Sequence, residues 1–201
     1  MPKVSQTYKE DKRAQLIAAA ENVFIRLGYA HTTIQDVLKE AGVSRGGLYL
    51  YFANKAELFE AVLDSYDQRF FGELERMRTD DTAIGPALLK LVNPSSRMDE
   101  RDRRLVAMVV EYHLEHRDDP LRQDRIFSRF DRVENLFIEV LERGVARGEF
   151  HPRLSLTSIA RFLIGSQDGL VIHVTVQGSF RYDPQDYAQA ISLFVHESLG
   201  F

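Results

Sequence analysis

Thr33-Ile-Gln-Asp-Val-Leu-Lys-Glu-Ala-Gly42-Val-Ser44-Arg45-Gly-Gly-Leu-Tyr49-Leu-Tyr51-Phe-Ala-Asn-Lys55 reads as a helix, a tight turn and a second, short helix. The hydroxyl of Thr33 suits an N-cap, because it can accept a backbone N–H of the first turn. Ile34, Val37, Leu38 and Ala41 then recur at helical spacing and make one apolar face. Gly42 follows the last of them, where a left-handed C-cap costs glycine little. Val43 is placed to fill the angle between the two helices. Ser44 caps the second helix, which runs from Arg45 to about Tyr51. Leu48 and Phe52, four residues apart, anchor it. Arg45, Gly46, Gly47, Tyr49 and Tyr51 are left on the outer face. Two helices joined by a glycine-containing turn of about 3–4 residues form a helix-turn-helix, whose second helix lies in the major groove of DNA. A plain helical hairpin with half-buried tyrosines is the competing reading of the same residues.

The flanks extend the pattern. Leu16, Ile17, Ala20, Val23, Phe24 and Leu27 form one stripe over three turns, and Gly28 stops that helix with Tyr29 behind it. Asn54-Lys55 opens a fourth helix whose inner stripe is Leu58, Phe59, Val62, Tyr66 and Phe70. Residues 8–53 thus make a three-helix unit, with a fourth helix leading away.

These residues resemble the TetR family of bacterial regulators. The match is carried by Ala20, Phe24 and Gly28-Tyr29, then Thr32-Thr33-Ile34, then Ala41-Gly42-Val43-Ser44-Arg45-Gly46, then Leu48 to Phe52, Lys55 and Leu58. It covers roughly residues 10–62. The resemblance implies a DNA-binding domain at 1–53 and a ligand-binding and dimerisation domain at 54–201, with 54–76 as the connecting helix. It implies that Thr33 and Lys55 hold phosphates, with the N–H groups at the start of the fourth helix assisting. Tyr49 and Tyr51 would touch the DNA backbone, Tyr49 also reaching a thymine methyl. Arg45 would read a base, a bidentate Arg–guanine pair being worth about 1–3 kcal/mol of discrimination. Gln35 is a second candidate for a base contact, Ser44 belongs to the same face, and Gly46 and Gly47 allow close approach. Two departures stand out. Tyr51 occupies a position where the family often has histidine, and Gly47 replaces a side chain that often reads a base.

Charge supports this only locally. The chain carries a net charge of −4; residues 1–60 hold 8 basic and 7 acidic side chains, the remainder 18 and 23. Binding to DNA would therefore rest on clustering, with Lys3, Lys9, Lys12 and Arg13 forming an arm beside Arg45 and Lys55. A length of 201 residues and a hydrophobic content of 44% allow real cores, and the absence of cysteine excludes disulfides and thiolate metal sites. No signal peptide is visible, and the longest apolar run, Leu105–Val110, is far too short for a bilayer. A cytoplasmic location with no membrane partner is expected.

The rest reads as further helices: Ala87–Val92, Asp99–Arg117, Pro120–Arg147, Ser155 to about Gln177, and Pro184 or Gln185 to Leu199. Thr79–Thr82, Gly85-Pro86 and Asn93-Pro94-Ser95-Ser96 read as breakers, and Gly144 and Gly148 as weak points near the end of the longest helix. Almost nothing alternates with period two, so the fold class is all-α. The last two long helices are the dimerisation candidates, as the resemblance also implies. Ile159, Ala160, Leu163, Ser166, Gly169, Leu170 and His173 line one; Ala188, Ile191, Phe194, Val195 and Leu199 line the other. Both stripes can equally face their own core.

A small-molecule effector site is expected among polar residues set within apolar stripes: Glu111, Tyr112 and His113 on one helix, Gln167, Asp168 and His173 on another. Phe127, Phe130 and Phe137 would wall it, with Tyr66 and Phe70 from the connecting helix. His113-Leu-Glu115-His116 lacks the spacing of the helical zinc motifs. No nucleophile elbow, phosphate loop or dinucleotide fingerprint is present, so neither metal, cofactor nor catalysis is implied. The sequence thus predicts a ligand-responsive regulator, most often a repressor, that dimerises on a palindromic operator of double-stranded DNA. The alternative is a small-molecule-binding helical protein or enzyme that keeps the DNA-domain shape.

Overall fold

The computed structural model describes residues 6–93, 100–177 and 183–201, except for the side chains at 70, 171, 174–177 and 184. Lys3 and the Pro94-Ser95-Ser96 breaker lie outside the described residues. Among those described, all regular structure is helical. The elements are α1 (Gln6–Leu27), α2 (Ile34–Ala41), α3 (Arg45–Tyr49), α4 (Lys55–Thr79), α5 (Ile84–Val92), α6 (Glu100–Glu115), α7 (Pro120–Ala146), α8 (Leu156–Gln177) and α9 (Pro184–Leu199). The chain divides into two compact units, Met1–Arg69 and Phe70–Phe201.

In the first unit α1 packs on α2, and α2 on α3. Leu16, Ala20, Val23 and Phe24 are buried as the α1 stripe requires, while Leu27 at its end is exposed. Gly28 stops α1 at φ +81°, a conformation that would strain any side chain. Phe24, Tyr29 and Phe59 then form one aromatic cluster, with ring centroids 4.7–5.9 Å apart. Thr32, buried, closes the turn by donating its hydroxyl to the Gly28 carbonyl at 2.7 Å.

In the second unit α8 packs against α6 and α7, and α5 against α7 and α9. Leu74, Leu88, Val140, Leu141, Phe150, Ile159, Leu163 and Val195 lie in its core. Three local expectations are corrected here. Helix α5 starts at Ile84, not Ala87, because the Glu149 carboxylate accepts from the N–H groups of Ile84 at 2.6 Å and Gly85 at 3.4 Å. Pro86 sits in the first turn, where a missing N–H has no helical partner to lose. Gly144 does not weaken α7; it is buried, and Phe150 packs directly on it.

The third correction concerns aromatics. Phe137 is buried, but Phe127 is 61% exposed and Phe130 is also exposed. At 100° per residue Phe127 falls about 110° from the centre of the Val133–Phe137–Val140 stripe, so it cannot join that core.

Candidate nucleic-acid interface and effector site

Four local devices build the α2–α3 pair. Thr33 Oγ1 accepts from the Asp36 N–H at 3.3 Å, and Asp36 Oδ2 accepts from the Thr33 N–H at 2.9 Å and from its hydroxyl at 2.6 Å. This is a reciprocal capping box, and the Thr33 hydrogen bonds hold the Asp36 carboxyl below its ordinary value. Gly42 closes α2 in the left-handed region at φ 64°, ψ 33°. Ser44 Oγ accepts from the Gly47 N–H at 3.3 Å and starts α3. Leu48 and Phe52 are buried, which fixes which face of α3 points outward.

The residues expected on α2 and α3 differ in exposure. Gln35, Ser44, Arg45, Gly46 and Tyr49 are exposed, and Gly47 and Tyr51 are half-buried. The Arg45 guanidinium lies 5.9 Å from the Tyr49 ring centroid, so the two form one platform. Arg13 of α1, a member of the expected basic arm, lies 5.3 Å from the centroid of the buried Phe52 ring. Leu50 is 81% exposed between the two tyrosines and was not singled out by sequence. It stands just past the end of α3, as its C-cap.

Two residues expected to hold phosphate are engaged inside the protein. Thr33 is occupied by Asp36, as above. Lys55 donates to the carbonyl oxygens of Tyr29 at 2.9 Å and Ala30 at 3.5 Å, with its ammonium 4.4 Å from the Tyr29 ring centroid. The start of α4 is also closed internally. Asn54 Oδ1 accepts from the Glu57 N–H at 2.9 Å, and Glu57 Oε2 accepts from the Ala53 N–H at 2.7 Å.

In the second unit α6 and α7 bring part of the expected effector site together. The His113 ring of α6 lies 6.0 Å from the Phe130 ring of α7, and the Arg129 guanidinium 5.9 Å from that same ring. Burial, with help from the positive charges of Arg129 and His116, pushes the His113 imidazole down to about 4. Asp168 of α8 keeps accessible surface, yet the atoms packed round it raise its carboxyl, with Arg129 opposing. A neutral imidazole, an acid with a raised pKa and a guanidinium around exposed aromatic carbon can orient a small polar-headed ligand.

Other expected members sit elsewhere. Tyr112 is buried and its hydroxyl accepts from Arg122 at 3.0 Å. Gln167 spends its amide on the Val92 carbonyl at 2.7 Å, tying α8 to α5. Glu111 and His173 are exposed. Tyr66 belongs to the first unit, its ring 5.7 Å from the Arg69 guanidinium, and the Phe70 side chain is outside the described residues.

The expected dimerisation stripes are spent in part: Ser166, Gly169, Ala188 and Phe194 keep accessible surface and His173 is exposed. Ile159, Ala160, Leu163, Leu170, Ile191, Val195 and Leu199 are all buried within their own subunit. The opposite faces carry the unspent apolar surface: Phe162 is 51% and Leu193 64% exposed, Ile172 is exposed, and the Phe162 and Phe194 rings lie 4.1 Å apart. An added Cβ at Gly165 or Gly169 would meet nothing within 4 Å, so backbone can approach there.

No group of three or more metal-ligating side chains occurs among the described residues, and no described helix is long and apolar enough to cross a membrane.

Comparison with known proteins agrees with this geometry. Residues 16–62 match the model for bacterial regulatory proteins of the tetR family. Residues 88–183 match that of the tetracyclin repressor-like C-terminal domain. The chain is 32% identical over 169 residues to the HTH-type transcriptional regulator TtgR of Pseudomonas putida, covering 81% of this chain and 79% of that one. It is 30% identical over 154 residues to the HTH-type transcriptional repressor KstR2 of Mycolicibacterium smegmatis, covering 76% and 74%. Its fold matches that of SmeT in complex with triclosan with a TM-score of 0.75 at 23% identity, covering 94% and 92%. The chain therefore belongs to the TetR family of bacterial regulatory proteins and is a helix-turn-helix transcriptional regulator.

Proposed function

We propose that this regulator is a repressor, held on a palindromic operator as a two-fold dimer and released by a small molecule. The observation that carries the DNA half is the face of α3: Arg45 and Tyr49 stand exposed on a helix whose rear is locked by buried Leu48 and Phe52. Residues 1–53 act as the reading head, with Arg45 on a base edge and Gln35, Ser44, Tyr49, Leu50 and Tyr51 along the groove wall. Residues 54–201 hold the effector and the partner subunit, and 54–76 connect the two functions. The outer faces of α8 and α9, with Phe162, Leu193 and Phe194, supply apolar surface for the second copy. A two-fold dimer places its recognition helices about 34–36 Å apart, one turn of B-DNA, which calls for a palindrome.

The effector half rests on His113 and Phe130 meeting beside Arg129, whose charge also reaches Asp168. A relative is named a repressor, and a protein of the same fold is a complex with triclosan. Release follows from linkage: a ligand that binds the conformation with the wrong half-site spacing draws the population off DNA. The work is done in the cytoplasm, where the operator is. Selection of sites from a randomised duplex pool tests the reading. An enriched palindrome with half-sites about one helical turn apart is expected; a pool that stays random would overturn it.

A further inference from the structure

We propose that Leu50 is a specificity-determining residue, seated on the C5 methyl group of one pyrimidine in each half-site of the operator. This rests on the reading of α3 as the helix that a two-fold dimer lays in the major groove. Leu50 is 81% exposed, more than any other large apolar residue described in the first unit. A lone exposed leucine elsewhere needs no explanation; this one stands opposite the core. It keeps a helical backbone at φ −68°, ψ −19°. The Phe52 N–H donates to the Leu48 carbonyl at 3.1 Å across it, so the helical period runs through it. Leu48 and Phe52, both buried, lie two residues to either side. At 100° per residue Leu50 therefore points about 160° away from each.

Little else stands on that outermost line. The residues three and four positions earlier share a helix face with Leu50, and they are Gly47 and Gly46. A Cβ would fit at either without a clash, yet neither has one, so bare backbone flanks the leucine and a base edge can come close. Tyr49 and Tyr51 fall about 100° to either side, with the Arg45 guanidinium 5.9 Å from the Tyr49 ring centroid. Most of what the major groove presents is polar: N7 and O6 of guanine, N7 and N6 of adenine, N4 of cytosine and O4 of thymine. A leucine pressed on those groups leaves them without hydrogen-bond partners, at a cost. The C5 methyl of thymine is the apolar group there, and a methyl on C5 of cytosine offers the same surface. A branched apolar side chain with no polar neighbour on its line fits such a methyl.

Removing the methyl alone tests this. Site selection with the full chain supplies the operator, and each thymine of its half-sites is replaced in turn by uracil, which differs only in lacking the methyl. Loss of one buried methyl corresponds to about four-fold in affinity per half-site. One thymine position is expected to show that loss with the wild type and none with Leu50→Ala. The variant changes an exposed residue, so it should melt as the wild type does and bind the thymine operator several-fold more weakly. If every uracil penalty persists in Leu50→Ala, or the wild type shows none, the proposal is overturned. Complete loss of binding by the variant overturns it too, since a methyl seat is worth no more than a modest factor. A second selection, from a pool with 5-methylcytosine in place of cytosine, separates the two sources of methyl. Thymine retained at the position is expected; 5-methylcytosine in its place supports the same contact with the other carrier. An operator bound with indifference to uracil sinks this proposal alone, whereas a wild type that enriches no site sinks the reading of α3 beneath it as well.

Discussion

Phe150 packs so closely on Gly144 that a Cβ added there would lie 2.2 Å from its Cδ2 and 2.3 Å from its Cε2. Helical glycine normally gains about 0.5–1 kcal/mol on replacement by alanine. Here the methyl must displace a buried ring, and overpacking costs about 1–3 kcal/mol. Gly144→Ala should therefore lower the thermal midpoint. Gly72→Ala on α4, whose new methyl meets nothing within 4 Å, should raise it. Opposite signs in one pair of melts is the expected result.

Glu149 caps α5 from 65 and 64 residues away, accepting from Ile84 and Gly85. Its other oxygen lies 2.9 Å from Arg147 Nε, and Arg147 and the neighbouring Arg143 donate to the carbonyls of Asp81, Thr82 and Met77. Glu149→Ala leaves two part-buried N–H groups unmet, at a cost of about 1–3 kcal/mol. Faster amide exchange concentrated in residues 84–87 is expected, and uniform acceleration across the unit would contradict the cap.

His113 makes stability depend on pH. Its imidazole stays neutral down to about 4 in the fold, against an ordinary value of 6.5. Between those values the unfolded chain binds the proton and the fold does not. The contribution is therefore complete above pH 6.5 and is lost as pH falls towards 4. Asp168 works against this. Its raised carboxyl takes up a proton in the fold before it would in the unfolded chain, which favours the fold on the acid side. His113→Phe should flatten the denaturant midpoint between pH 6.5 and 4, and Asp168→Asn should steepen its acid loss.

Arg45→Ala tests the reading face. With the guanidinium gone, discrimination at one base pair of each half-site should fall by about 1–3 kcal/mol. Binding to non-matching duplex should weaken far less. Equal weakening on all sequences would make Arg45 a backbone contact instead.

What could be read from sequence was local. Gly28, Gly42 and Ser44 declare themselves because a left-handed residue or a cap is decided within a few positions, and each is found where expected. The start of α5 was not legible, since its cap comes from Glu149, far along the chain. The engagement of Lys55 was hidden for the same reason. The stripes of α8 and α9 were read only in part, because periodicity alone does not say which residues of an apolar stripe meet their own core: Ile159, Leu163 and Val195 do, while Gly169 and Phe194 keep accessible surface. Of the effector candidates, His113 and Phe130 come together, while Tyr112 and Gln167 are spent on Arg122 and on the Val92 carbonyl.

Gly46 and Gly47 leave the first turn of α3 almost bare. A Cβ at Gly46 would meet nothing within 4 Å, and one at Gly47 would make only ordinary contacts, 3.5 Å to Ser44 Oγ and 3.9 Å to Val43 Cβ. Neither glycine has a positive φ, so neither is required by the backbone. Two vacancies thus stand beside Arg45 that almost any side chain could fill without disturbing the turn, and many would firm the helix. The scaffold is indifferent to the choice, so what limits a side chain at either position is its fit to whatever this face meets and not the fold.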